Sequence, residues 1–306
     1  MEILYWLETI RIPGLNELML AVTRLGEETV FLVLALMVFW CVDKKRGYLL
    51  MSVGFLGIMI NQFMKLSFRI PRPWVLDPNF TILEQAREAA AGYSFPSGHT
   101  TCAVATFGSL AATSRRKLAA AVCVLLAALV GFSRMYLGVH TPADVLAGAL
   151  TAMILILLLQ NAVNSSQGMG LLVMGMVLMA LGLLAFVSLY PFPEDTDVHN
   201  LESGLKNGYT MIGCMAGILV VYFGEQRYVN FTTRAVWWAQ ILKVVLGLAL
   251  VLGIKEGLRY PLEHLIGAVY PARAVRYFLL VVAAGLFWPM TFRWFYKLGR
   301  HMEVKK

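Results

Sequence analysis

The chain has 306 residues, of which 59% are hydrophobic and only 14% charged, and its mean hydropathy is +0.69. A water-soluble domain of this length carries far less apolar surface, so that class is excluded. The net charge of +8 reads as basic loops at a membrane surface rather than a nucleic-acid footprint, and no nucleic-acid partner is expected.

In chain order, residues 1–26 interrupt apolar positions with Glu8, Arg11, Pro13 and Glu17. That is too polar to span a bilayer and predicts one or two short helices lying in the interface. The opening MEILYWLETI is acidic and lacks a basic region with a cleavage site, unlike a removable signal peptide. Apolar runs near the ~20 residues that cross a bilayer then follow. They predict spans at about 28–42, 47–69, 97–113, 118–136, 143–163, 169–190, 208–224, 235–255 and 274–296, with a polar break NSSQG at 164–168. No period of two suggests a β-barrel. The predicted fold is all-α: a polytopic integral membrane helical bundle of about nine transmembrane helices plus an N-terminal interfacial helix. Residues 1–166 hold the charged motifs, and 167–306 add further transmembrane helices. Cys41, Cys102, Cys123 and Cys214 lie in apolar runs without CxxC spacing, so neither a disulfide framework nor a zinc site is expected.

Sidedness follows from charge. The loops DKKR, SRRK, EQRYVNFTTR and the C-terminal tail, with adjoining residues, hold 14 of the 26 Lys/Arg but three of the 18 Asp/Glu. By the positive-inside rule this side is cytoplasmic.

Three charged clusters reach the opposite side: KLSFRIPRP (65–73), YSFPSGHT (93–100) and SRMYLGVHTPAD (133–144). Lys65, Arg72 and Arg134 are fixed cations suited to a phosphate dianion, the arginines as forks and the lysine as a point charge. Ser97-Gly98-His99 opens a helix, where free N–H groups and the dipole favour an anion. His99 and His140 supply a nucleophile and a proton donor. Asp144 stands four residues beyond His140 and can hold its ring if the chain turns helically there. Each piece also has a structural reading. Lys65, Arg69 and Arg72 fit snorkelling residues, and Thr141-Pro142-Ala143-Asp144 fits a helix start with Thr as N-cap. It is the constellation on one face that points to phosphoryl chemistry.

These residues resemble the type 2 phosphatidic acid phosphatase superfamily, whose signature is K-x6-RP, PSGH and SR-x5-H-x3-D. Lys65 with Arg72-Pro73, Pro96 to His99, and Ser133-Arg134 with His140 and Asp144 fill every position in order. The resemblance covers about 28–163. It implies that His140 attacks phosphorus to form a phosphohistidine, that Asp144 orients it, and that His99 protonates the leaving oxygen and later activates water. It implies that Lys65, Arg72, Ser97, Gly98 and Arg134 hold the phosphate, and that neither metal nor cofactor takes part. Residues 1–166 are then a phosphatase core, and the partners are the bilayer and a phosphorylated lipid. The expected setting is a bacterial plasma membrane with the site extracytoplasmic. Alternatives are a phosphatase for a soluble sugar phosphate, similar to glucose-6-phosphatase, and a non-catalytic lipid-phosphate transporter on the same scaffold.

In the second half, the acidic loop 191–207 and the Arg/Tyr/Pro-rich loop 255–277 reach the same side as the motifs. The simpler expectation for both is solvated connectors. Arg259 and His264 are the residues expected to act if a loop contributes.

Overall fold

The computed structural model describes the backbone of residues 1–87, 90 and 92–303 and the side chains among these up to residue 298. Lys305 and Lys306, counted with the basic side, lie outside it, as does the Arg300 side chain. The regular structure among the described residues is helical. In chain order they form α1 (Glu2–Thr9), α2 (Pro13–Arg24), α3 (Glu28–Cys41), α4 (Lys44–Phe68), α5 (98–113), α6 (Lys117–Tyr136), α7 (Pro142–Ala162) and α8 (Ser166–Leu189). After these come α9 (Val198–Gly224), α10 (Trp237–Gly257), α11 (Arg259–Ile266), α12 (Val269–Val282) and α13 (Phe292–Glu303).

Among the described residues, seven helices are long and apolar enough to cross a membrane, rather than the nine expected. The two that fall short are α3 and α5. At about 1.5 Å per residue they reach only some 21 and 24 Å, less than a hydrocarbon core of about 30 Å. A π-helical turn at Val104–Gly108 interrupts α5. The outward faces are apolar, as lipid contact demands: Leu157, Leu158, Leu171 and Leu178 are all exposed.

The chain forms two compact units. The first comprises residues 1–34, 49–161 and 191–204. Its core has two parts. Ala103, Phe107, Ala127 and Val130 join α5 to α6. Leu4, Leu7, Met19, Phe80, Tyr136, Leu137 and Val139 bury the N-terminal helices against the end of α6. The α1–α2 segment is therefore packed as well as amphipathic. Arg11 Nε donates to the Tyr136 carbonyl at 3.0 Å, and Tyr136 Oη donates to Asn16 Oδ1 at 2.7 Å. Helix α5 runs away from its charged start, turns at Ser114–Arg116, and α6 returns, so that His99 and Arg134 end at the same level.

The second unit comprises residues 35–48, 162–190 and 205–306. Trp40 Nε1 donates to the Ala284 carbonyl at 2.9 Å. Lys44 Nζ pairs with the buried Glu225 at 2.6 Å, over the ring of Phe231. Arg259 and His264 stand on α11 in this unit, where residues 255–277, expected as a loop, are mostly helical, whereas the first part of the acidic segment, 191–204, belongs to the first unit. Of the four cysteines, Cys102 and Cys214 are buried, and Cys41 and Cys123 half-buried.

Candidate active site

Helix α4 ends in a left-handed turn at Arg69, φ +50°, whose N–H caps the Lys65 carbonyl at 3.0 Å. The turn reverses the chain, and Pro73 starts a single helical turn Pro73–Leu76. Lys65 and Arg72 are thereby aimed at the segment 92–97. Lys65 Nζ donates to the Tyr93 carbonyl at 2.6 Å. Arg72 Nε donates to the Gly92 carbonyl at 2.9 Å and its Nη1 to the Val139 carbonyl at 2.9 Å.

The second cluster is fixed from two sides. Ser97 is the N-cap of α5 and accepts from Thr100 N–H at 3.4 Å and from Thr100 Oγ1 at 2.9 Å. Its own hydroxyl proton remains available to a ligand. Ser97 N–H donates to the Asp144 carbonyl at 3.0 Å, tying α5 to α7. Asn61 of α4 donates to the Pro96 carbonyl at 3.2 Å. Gly98 and His99 follow in the first turn, where backbone N–H groups lack partners within the helix.

His140 is 2% exposed, and its neighbours assign its two nitrogens. Arg72 Nη1 lies 2.8 Å from Nε2. A guanidinium only donates, so Nε2 accepts and the ring proton sits on Nδ1. That nitrogen faces Asp144 Oδ2 at 3.5 Å and Ser94 Oγ at 3.4 Å. Burial first, then the positive fields of Arg72, Arg134, Lys65 and His99, hold the imidazole well below its ordinary range. A neutral ring whose Nε2 lone pair carries no proton is what nucleophilic attack requires, once Arg72 gives it up.

Asp144, 1% exposed, serves both readings of its motif. Its Oδ2 accepts from Thr141 N–H at 2.7 Å, while Thr141 Oγ1 accepts from Asp144 N–H at 3.3 Å: a reciprocal cap for α7. The same oxygen accepts from Ser94 Oγ at 2.6 Å. Ser94, which carries no charge and drew no role from the sequence, thus bridges Asp144 and His140.

Arg134, 1% exposed, donates from Nη1 to Thr23 Oγ1 of α2 at 2.7 Å. Its Nε and Nη2 are buried without a partner. Buried donors of this kind are costly unless something accepts from them. Among the described residues no cluster of His, Cys, Asp or Glu could hold a metal ion.

All eight residues singled out from the sequence thus fall in one compact unit. The cluster unites forked and point cations, an N-terminal helix turn, and a buried neutral histidine backed by a carboxylate. Such a set can bind a tetrahedral oxyanion and attack it. With the helical membrane fold, this defines a membrane protein of the phosphoryl-handling class. Residues 46–167 match the PAP2 superfamily, and residues 209–301 match "PAP2 superfamily phosphatase, transmembrane extension". The chain belongs to this superfamily.

Its relatives include "Undecaprenyl-diphosphatase BcrC" of Bacillus subtilis, 34% identical over 40% of this chain and 62% of that protein. "Phosphatidylglycerophosphatase B" of the same species is 29% identical over 50% of this chain and 77% of the relative. Human "Sphingosine-1-phosphate phosphatase 2" is 32% identical over 44% of this chain and 34% of the relative. The chain thus spans less than two thirds of the first and third of these proteins. A solved structure, "Crystal structure of the first transmembrane PAP2 type phosphatidylglycerolphosphate phosphatase from Bacillus subtilis", is 28% identical, covering 52% of this chain and 82% of that one with a TM-score of 0.45.

Proposed function

We propose that this chain is a membrane phosphatase that hydrolyses a lipid phosphate or diphosphate monoester through a phosphohistidine intermediate. The carrying observation is Arg134, whose buried Nε and Nη2 lack a partner while its charge acts on His140. A phosphate oxygen supplies those missing acceptors. The names of the relatives support a lipid substrate: undecaprenyl, glycerophospholipid and sphingoid phosphates are all phosphorylated lipid alcohols.

In this reading, the substrate phosphate draws Arg72 away from His140 Nε2 and accepts from Lys65, Arg72, Arg134, Ser97 and Gly98 N–H. Nε2 attacks phosphorus as the bond to the leaving oxygen breaks. His99 gives that oxygen its proton, releasing a lipid alcohol, or a lipid monophosphate from a diphosphate. Asp144 and Ser94 hold the Nδ1 proton as the ring becomes cationic. Water, deprotonated by His99, then attacks the phosphohistidine and frees inorganic phosphate. Preorganised cations stabilise the charge on the transferring group.

The wider reading is of residues 1–166 as the phosphatase core in a bacterial plasma membrane, with the site on the extracytoplasmic face. It counts nine spans, α3 and α5 being short crossings. Residues 167–306 are an added membrane segment.

The test is phosphate release by the purified full chain in detergent with EDTA, across lipid phosphates, prenyl diphosphates and glucose 6-phosphate. A lipid should be turned over, and His140→Ala should remove turnover by roughly four orders of magnitude or more. Release untouched by that substitution sinks the mechanism, and a preference for the sugar phosphate sinks the lipid assignment.

A further inference from the structure

We propose that Asp197, just before α9, and Asn200, in its first turn, are positioning residues that set the phosphate-binding cations through Tyr93. The proposal rests on the phosphatase reading and adds residues that lie between the two matched regions, 46–167 and 209–301.

Lys65 and Arg72 are both held by consecutive carbonyls, those of Tyr93 and Gly92. Whatever fixes these two peptide groups therefore fixes both cations. Asn200 Oδ1 accepts from Tyr93 N–H at 3.0 Å. Asn200 Nδ2 in turn donates to Asp197 Oδ2 at 3.0 Å. Asp197 also caps α9, accepting from His199 N–H at 2.8 Å, and its own N–H donates to Tyr93 Oη at 3.3 Å. Tyr93 is thus gripped at both its main-chain N–H and its phenol. Asn200 is 5% exposed and Thr196 5% exposed, so this part of the acidic segment is buried within the site's unit rather than solvated. A third contact supports the placement: Arg69 Nη1 reaches Thr196 Oγ1 at 3.5 Å and Asp195 Oδ1 at 4.0 Å.

The sequence at Gly92 fits this arrangement. Its φ is +76°, and a Cβ there would stand 2.3 Å from Asn200 Oδ1. Glycine is required both for the left-handed turn that aligns the two carbonyls and for the approach of the asparagine. A solvated connector would impose neither demand.

The clamp acts on binding more than on chemistry, because its last links are Lys65 and Arg72, not His140. With the full chain in detergent, Asn200→Ala and Asp197→Ala should each raise KM, and the inhibition constant of inorganic phosphate, about 3- to 10-fold. Their kcat should change less than this. Glu202→Ala, exposed on the same helix, should change neither. Gly92→Ala displaces Asn200 from the other side, so its effect should not add to that of Asn200→Ala. Unchanged KM and phosphate inhibition in folded Asn200→Ala overturns the proposal, as does a kcat loss with binding intact. Loss of thermal stability with normal kinetics in the folded fraction also overturns it. Isothermal titration with inorganic phosphate separates the two readings. An inactive parent chain that still binds phosphate, with Asn200→Ala weakening it, upholds the clamp while the phosphatase reading fails.

Discussion

Asp144 does two jobs with one oxygen, and that sharing shapes what a nearby substitution does. Its Oδ2 takes Thr141 N–H and Ser94 Oγ at hydrogen-bond distance and stands 3.5 Å from His140 Nδ1. Removing the Ser94 hydroxyl keeps the helix cap but frees the carboxylate to move relative to the ring. Ser94→Ala should lower kcat about 10- to 100-fold, the worth of an outer partner of a functional histidine, with little change in KM. Steady-state kinetics beside a melting curve checks this: a fall in KM-linked binding alone would contradict it. The His140 ring makes a second prediction. Because burial lowers its affinity for a proton, the unfolded chain takes up that proton on acidification while the folded chain does not. Stability from this group is therefore complete above about pH 6.5, the ordinary imidazole value, and falls as the pH drops below it. The ¹³Cε1 signal of His140, assigned by its loss in His140→Gln, should keep its neutral position at pH 5.5. The charged residues of the site were legible because cations and histidines between apolar runs have few other reasons to be there. Ser94, Thr23 and Asn61 were not, since a hydroxyl or amide sends no signal until its partner is known.

At the level of elements, the pocket depends on how closely α5 and α7 approach. Gly148 marks the contact: a Cβ there would lie 2.6 Å from the Ser97 carbonyl and 2.9 Å from Thr101 Oγ1. The first of these is backbone, which cannot swing aside. Gly148→Ala must part the helices just where Ser97 N–H meets the Asp144 carbonyl at 3.0 Å. The cost expected for such overpacking is about 1–3 kcal/mol, seen as a lower melting temperature together with reduced turnover. Full activity at normal stability would show that the approach is slack. Helix existence was readable from apolar runs, because the bilayer sets their length. What escaped was α5 with its π-helical turn, where the run looks continuous but the backbone is not, and the packing of α1. Leu4 and Leu7 are buried against Phe80 and Tyr136, contacts that bring distant stretches of chain together and that local amphipathicity does not encode.

For the molecule as a whole, the open question is which residues share a side of the membrane. The motifs converge only because the chain leaves the site along α5 and comes back along α6. A helix of that length falls short of a flat bilayer, yet the basic loop at Arg115 and Arg116 stands at its far end. If α5 crosses, Asn79 and Arg115 lie on opposite sides. Three long helices, α6, α7 and α8, then separate Arg115 from Glu194, which returns the acidic loop to the side of Asn79. Asn79, Arg115 and Glu194 are each exposed and carry no motif role. In a chain with its four cysteines replaced by alanine, single cysteines at these positions report their side. A membrane-impermeant maleimide added to intact cells should label Asn79→Cys and Glu194→Cys and spare Arg115→Cys until the membrane is opened. Labelling of Arg115→Cys alone would put the phosphate pocket on the cytoplasmic side, against the charge count. Labelling of Asn79→Cys and Arg115→Cys together would mean that α5 re-enters rather than crosses, and the nine-span reading would fall with it.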